Sequence, residues 1–415
     1  MLAASQPTQP STPLSHHAPP CLQVDGPFKQ NNFSSLSIHY QFHASQNDPK
    51  TDPIATWHQG GPGGSSIDVG LYTEMGYFNV DSNGTYVNQY AWNNVASMLY
   101  LESPAGSGGS SGFSTCVSGG KPVDCYWNDT SQAEAYAHTL AAFFTAFPEF
   151  ADNDLYLTGE SYAGQYVPNI ANYITSTEPF SQRINLKGYA IGNACWGGNA
   201  TKVSCNGPNH AQMMSDIYFG KGLSSKENYE QIQTTCAWPL NDLRTGGPSF
   251  EPSPACETLL SQQSKEAGPH NIYNIYDNCP RGRAFLKRTG LTTFDLNKAL
   301  QNELNTGGAE SPVDFLLRQH EHLTLDGLLG ATATDEQQLQ LRTGTPINTG
   351  GGYPWSCGGY PTGCKTYLGR PDVIKALHLE STPPGSSAFH YHSSGPASIT
   401  LHPHLAKKLR VLICE

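Results

Sequence analysis

The stretch Leu155-Tyr156-Leu157-Thr158-Gly159-Glu160-Ser161-Tyr162-Ala163-Gly164 decides how the rest of the chain is read. Its first half is an apolar run of strand length, and its end opens a helix. Between them, Gly159 and Gly164 enclose Ser161 in a Gly-Glu-Ser-Tyr-Ala-Gly run, a variant of the G-x-S-x-G pattern with Ala163 at the second glycine position. A backbone that turns from strand into helix so sharply leaves no room for side chains beside the corner, so glycines stand there. The same corner pushes the serine hydroxyl out above the sheet edge. The short pattern alone also fits an ordinary strand-to-helix turn, so the strand before it and the helix after it carry the reading.

A second stretch strengthens it. Trp57-His58-Gln59-Gly60-Gly61-Pro62-Gly63-Gly64-Ser65-Ser66 follows the strand-like Pro53-Ile54-Ala55-Thr56. So many glycines describe a loop lined by backbone, able to point a peptide N–H at a developing oxyanion. A phosphate-binding loop is the rival reading. It fails because neither Gly-Lys-Ser/Thr nor G-x-G-x-x-G follows the strand.

Further stretches in order are Leu99-Tyr100-Leu101-Glu102-Ser103-Pro104-Ala105-Gly106, Gln165-Tyr166-Val167-Pro168 behind the elbow, Lys187-Gly188-Tyr189-Ala190-Ile191-Gly192-Asn193, and Tyr367-Leu368-Gly369-Arg370-Pro371-Asp372-Val373-Ile374-Lys375-Ala376-Leu377-His378. Together with the glycine loop they resemble the serine carboxypeptidases, a family of the α/β-hydrolase fold. The resemblance runs from about Leu36 to the last residue. It implies a mostly parallel central sheet with helices on both faces and an inserted cap region. It also implies hydrolysis of C-terminal residues from peptides and proteins through an acyl-enzyme, with no metal and no organic cofactor.

Under that resemblance Ser161 is the nucleophile, and the amides of Gly61 and Tyr162 form the oxyanion hole. One such donor typically contributes ~3 kcal/mol to lowering the barrier. Glu160 and Glu74 hold the free α-carboxylate of the substrate, with Trp57, Gln59 and Gly60 in the same pocket. Two close acidic groups share protons, so one carboxyl stays protonated and can donate to a carboxylate. Cleavage is therefore expected in acid, fading as pH rises. For Glu74 the competing reading is a solvated surface charge. Gln59 departs from the family, where Asn is commoner; the amide donor is kept on a side chain one methylene longer.

The triad is the larger departure. In the family order an aspartate follows a strand resembling Val411-Leu412-Ile413, and a histidine comes much later. Neither has a match among these 415 residues. None of the 15 histidines fits the family position, and His58 in the glycine loop is the nearest substitute as a base. The expectation is that the C-terminal part of the sheet is missing, that Leu409 to Cys414 forms an exposed edge strand, and that this stretch is inactive by itself. Two rivals follow: an acyltransferase of the same fold that uses an alcohol in place of water, and a non-catalytic peptide binder that keeps the carboxylate pocket.

Composition agrees with a large enzyme. Charged residues make up 14%, against 42 glycines, 30 prolines and 21 tyrosines, a mix suited to a loop-rich globular chain. A net charge of -11 argues against nucleic acid as a partner. No apolar run approaches membrane-spanning length. Eleven cysteines, with N-x-S/T sequons at Asn32, Asn83, Asn128 and Asn199, point to a secreted protein or a vacuole- or lysosome-like lumen. Met1 to Pro7 carries neither a basic nor an apolar leader region. Either a leader lies upstream, or this segment is mis-assigned, or export takes another route.

Along the chain, residues 1–20 read as a disordered lead-in rich in Ser, Pro, Gln and His. Residues 21–194 alternate strands and helices as the first part of the core. A capping box at Thr130 to Glu134 is expected to start a helix that ends before Pro148. Cys116 and Cys125 bracket a loop short enough for a local disulfide. Residues 195–346 read as the cap, and 347–415 as the core resuming.

Overall fold

The computed structural model describes residues 21–195, 210–238, 250–270, 367–379 and 385–414, except 27, 29–31, 82–83, 110–111, 269 and 395–396. The lead-in, most of the expected cap and residues 347–366 lie outside the described residues, as do Asn83, Asn199 and cysteines 205, 279, 357 and 364.

In chain order the strands are β1 (Cys21–Asp25), β2 (Ser35–His43), β3 (Ile54–His58), β4 (Phe78–Asp81), β5 (Gly84–Val87), β6 (Ser97–Leu101), β7 (Thr115–Ser118), β8 (Lys121–Val123), β9 (Cys125–Asn128), β10 (Leu155–Glu160), β11 (Leu186–Gly192), β12 (Phe389–His392) and β13 (Arg410–Cys414). The main sheet runs β13-β11-β10-β3-β6-β2-β7-β8, with β1 also on β2. Its block from β13 to β6 is parallel, and the β2, β7, β8 and β1 flank is antiparallel. This is the α/β-hydrolase architecture expected from the sequence.

β3 and β6 are buried along their whole length because both faces of the sheet are covered. The alternation of side chains splits them between two cores. Ile54, Leu99 and Leu101 join Leu155, Leu157, Tyr136, Phe143 and Tyr166 on one face. Ala55, Trp57, Met98 and Tyr100 join Ile67, Leu71 and Tyr72 on the other. The first face carries helices α1 (Asp129–Ala146) and α2 (Ala163–Ser176), and the second carries a π-helix, Ser66–Met75.

The start of α1 corrects the expected capping box. Asn128 is the N-cap, its Oδ1 accepting the Thr130 and Ser131 amides at 3.0 and 2.9 Å, while Ser131 Oγ accepts the Asn128 amide at 3.0 Å. The reciprocal bonds thus close three residues earlier, around Ser131 instead of Glu134. Asn128 and Asn32, both sequon residues, are engaged; Asn32 Nδ2 donates to the Asp124 carbonyl at 2.9 Å. The helix ends at Ala146 ahead of Pro148, as expected.

α2 tolerates Pro168 in its interior because Ser398 Oγ donates to the Gly164 carbonyl that the proline cannot reach, at 2.5 Å. Cys116 and Cys125 form the expected local disulfide. A second bridge, Cys236–Cys256, lies among helices Lys226–Thr235 and Pro254–Ala267. Among the described residues β13 ends the sheet with a neighbour on one side, and Leu412 is 58% exposed there. Among the described residues no helix is long and apolar enough to cross a membrane.

Candidate active site

β10 carries the chain to Glu160, and Ser161 then takes φ 58, a left-handed conformation costly for a residue with a Cβ. α2 begins two residues later. Both flanking glycines stand where a side chain would collide. A Cβ on Gly159 would lie 2.6 Å from Ala163 Cβ and the His58 carbonyl, and one on Gly164 would lie 2.6 Å from the Cys195 carbonyl. The corner is pinned by Ser161 N–H donating to the Gly192 carbonyl at 3.0 Å and by the Gly164 and Cys195 amides donating to the Ser161 carbonyl at 2.9 and 2.8 Å. Ser161 is partly exposed, and its Oγ lies 3.6 Å from the sulfur of Cys195, itself disulfide-bonded.

The glycine loop closes over this corner. A Cβ on Gly60 would sit 2.6 Å from Ser161 Cβ, 2.7 Å from the Tyr162 amide nitrogen and 2.8 Å from Ser161 Oγ. Only glycine permits that approach. The next residue, Gly61, has φ 118. The Gly64 amide donates to the Gly60 carbonyl at 2.9 Å and the Gly108 amide to the Gly63 carbonyl at 2.9 Å.

The acidic side of the corner is a chain of side chains. Trp57 Nε1–H donates to Gln59 Oε1 at 3.0 Å, and Gln59 Nε2–H donates to Glu160 Oε1 at 2.6 Å. The longer Gln side chain therefore bridges the indole and the carboxyl. Glu74, from the π-helix, faces the same carboxyl. Its Oε2 is shielded from solvent without a hydrogen-bond partner among the described residues. Burial, then the Glu160 charge, pushes the Glu74 carboxyl well above the ordinary range. Burial likewise raises Glu160, against the opposing Gln59 hydrogen bond. The pair therefore retains a proton at pH values where isolated carboxyls have lost theirs.

A family model described as serine carboxypeptidase matches residues 13–394. The chain belongs to the serine carboxypeptidase family. The lysosomal protective protein of Mus musculus is 38% identical over 252 residues, covering 60% of this chain and 48% of that protein. Serine carboxypeptidase 1 of Hordeum vulgare is 31% identical over 290 residues, covering 67% of this chain and 52% of that protein. The chain spans about half the length of these curated relatives. Among solved structures, the prohormone-processing carboxypeptidase Kex1(delta)p of Saccharomyces cerevisiae aligns over 92% of this chain and 69% of its own, at 18% identity and a TM-score of 0.48.

In this member of the family the structure brings Trp57, Gln59, Gly60, Glu160, Ser161 and Tyr162 together, with Gly61 next to Gly60 and Glu74 beside Glu160. It does not bring His58 to the serine. That ring is buried against Tyr136 at 4.4 Å, and its Nδ1–H donates to the Thr158 carbonyl at 2.9 Å. Burial lowers its pKa to about 4, so it is neutral and packed behind the elbow. Among the described residues no histidine hydrogen-bonds Ser161.

Among the buried acids that escaped sequence reasoning are Glu102 and Asp129. Glu102, wholly buried at the end of β6, accepts Ser65 Oγ–H at 2.8 Å and the Ile67 amide at 3.3 Å where the glycine loop enters the π-helix. Asp129 lies under the elbow. Glu102 stands in one of the stretches quoted above, so position gave a signal but no role; Asp129 gave none.

Proposed function

We propose that this chain carries the nucleophile and carboxylate-recognition part of a serine-type carboxypeptidase that removes C-terminal residues from peptides and proteins. The observation that carries the reading is the hydrogen bond from Gln59 to Glu160, the residue before Ser161. It supports a carboxyl at Glu160, neighboured by Glu74, beside a strained, partly exposed serine. Ser161 Oγ attacks the scissile carbonyl, and the amides of Tyr162 and Gly61 receive the oxyanion. Glu160 and Glu74 share a proton and donate it in a hydrogen bond to the free α-carboxylate, with Gln59, Gly60 and Trp57 shaping that end of the pocket. Above the raised carboxyl range both acids ionise and repel the substrate, so binding is strongest in acid. His58, buried on Tyr136 with its Nδ1–H on the Thr158 carbonyl, is not assigned as the general base. The scissile C–N bond breaks, the C-terminal amino acid leaves carrying the proton taken from Ser161, and water then cleaves the acyl ester to free the shortened peptide and restore the hydroxyl.

The disulfides at Cys116–Cys125 and Cys236–Cys256 support work in an oxidising lumen or outside the cell. An acidic lumen suits the carboxyl pair, and the Mus musculus relative is named lysosomal.

The test is a pair of peptides differing only in a free or amidated C-terminus, offered to the full-length protein between pH 4 and 8, alongside a fluorophosphonate probe for Ser161. Preference for the free terminus in acid, with labelling lost in Ser161→Ala, is the expected result. Labelling without peptide cleavage but with ester formation in added alcohol supports the acyltransferase. No labelling at any pH overturns the enzyme reading in favour of a binder.

A further inference from the structure

Beneath the elbow a buried carboxylate joins segments that are distant in sequence. Asp129, the first residue of α1, is 1% exposed. Its Oδ1 accepts the Tyr391 hydroxyl at 2.6 Å and the Tyr162 hydroxyl at 3.2 Å, and its Oδ2 accepts the Ser394 amide at 2.6 Å. The Gln165 side chain also bonds it. The Tyr162 hydroxyl lies 3.0 Å from Ser393 Oγ as well. Burial pushes the Asp129 carboxyl up, and the bonds from Tyr391, Ser394, Gln165 and Tyr162 oppose that. A buried acid on this many donors anchors whatever donates to it.

The anchored groups include both walls of the candidate oxyanion site. The Tyr162, Tyr166 and Tyr391 rings pack edge to face, with centroids 5.0, 5.6 and 5.7 Å apart. Tyr166 OH accepts the Gly63 amide at 3.2 Å, joining the trio to the glycine loop. Phe389, parallel to Tyr391 at 5.9 Å, fills the space a Cβ on Gly63 would need. Tyr162 itself follows the strained Ser161 and has no side-chain cap bond to hold its backbone at the start of α2. Its carbonyl accepts the Gln165 and Tyr166 amides at 2.8 and 3.1 Å within the first turn, and its ring and hydroxyl tie that turn to Asp129 and Ser393.

We propose that Asp129 is a positioning residue: through the Tyr162 hydroxyl it holds the Tyr162 peptide N–H, and through the tyrosine trio it sets that N–H against the glycine loop. The catalytic part of this inference rests on the proposed role of Ser161. Stabilising an oxyanion needs its donors placed to a fraction of an ångström, so slack at Tyr162 lowers the rate of acylation and leaves ground-state binding unchanged.

The test uses the full-length protein and the variants Tyr162→Phe, Tyr391→Phe, Asp129→Ala and Asp129→Asn. Amide hydrogen exchange is followed over the elbow and glycine-loop segments, together with the rate of fluorophosphonate labelling and peptide kcat and KM. Tyr162→Phe and Asp129→Ala should each speed elbow exchange and slow labelling by about tenfold, with kcat falling and KM held. Tyr391→Phe removes a bond to the same carboxylate but not the Tyr162 anchor, and should slow labelling less than about threefold. Asp129→Asn should recover most of the rate, because its oxygen can take the Ser394 amide while its NH2 donates to the tyrosine hydroxyls. If Asp129→Ala does not fold, Tyr162→Phe decides. Elbow exchange and labelling within about twofold of wild type in Tyr162→Phe overturns the proposal, as does equal slowing by Tyr391→Phe. If the wild type never labels but elbow exchange still rises in Tyr162→Phe, the nucleophile reading falls and the backbone anchor stands.

Discussion

Replacing Glu102 by Gln should change how stability depends on pH. The Glu102 carboxyl is wholly buried, accepts from Ser65 Oγ and the Ile67 amide through Oε2, and leaves Oε1 with no partner among the described residues. Burial, reinforced by the neighbouring Asp68 and opposed by the Ser65 and Ile67 bonds, pushes its pKa from 4.5 up to about 8. Below 4.5 the carboxyl is protonated in both folded and unfolded chains, and its stabilising proton is fully retained. Between 4.5 and about 8 the unfolded chain releases that proton while the folded one keeps it, so stability falls as pH rises. At 1.36 kcal/mol per pH unit, the loss from pH 4.5 to 7 is about 3 kcal/mol. Gln has no proton to lose and keeps an oxygen for Ser65 and Ile67. The difference in unfolding free energy between wild type and Glu102→Gln should therefore shift by about 3 kcal/mol over that range, with wild type relatively better in acid. Glu74, Glu160 and Asp129, also raised, are common to both proteins and cancel. Urea unfolding at pH 4.5 and 7, with equal slopes for the two proteins, measures it. A difference constant to within about 1 kcal/mol would refute the argument that Glu102 is held neutral by its site.

Other substitutions probe the corner itself. Gly60→Ala puts a Cβ 2.6 Å from Ser161 Cβ and 2.7 Å from the Tyr162 nitrogen, so it should destabilise by about 1–3 kcal/mol and abolish probe labelling; labelling at the wild-type rate contradicts this. Because Ser161 sits at φ 58, Ser161→Gly should be about 1 kcal/mol more stable than Ser161→Ala, read from paired thermal melts. Serine at both Cys116 and Cys125 opens a bridge with a sequence separation of 9, which should cost about 2.5 kcal/mol in denaturant titration. Glu160→Gln removes one member of the acid pair, so affinity for an N-acyl amino acid, falling with pH in wild type, should become nearly flat; isothermal titration at pH 4.5 and 7 compares the two.

What was legible in the sequence is what a few adjacent residues dictate. The elbow was readable because Gly159, Ser161 and Gly164 meet a local steric demand, and the glycine loop for the same reason at Gly60. The five-strand parallel block followed from apolar runs alternating with helices. The capping box was misread by three residues because Asn128, Thr130 and Ser131 are all competent cap residues, and only the bonds tell them apart. His58 could not be placed from the sequence because its Nδ1 partner, Thr158, lies 100 residues away on the neighbouring strand.

The same distance hid Glu102 and Asp129. Ser65 meets Glu102 across 37 residues, and Asp129 meets Tyr162, Tyr391 and Ser394 across 33, 262 and 265. Yet they stand at related places. Gly61 at φ 118, a conformation that suits glycine, and Ser161 at φ 58, costly for a residue with a Cβ, are the two left-handed positions at the candidate oxyanion amides. The latter persists only where surrounding contacts over-determine it. Glu102 grips the exit of the glycine loop through Ser65, and Asp129 grips the elbow through Tyr162. A carboxyl is suited to that work because, once buried, each lost donor leaves an unpaired polar oxygen, so the whole cluster resists opening together. Backbone geometry legible in two short motifs is thus held by acids whose partners only the tertiary fold brings near.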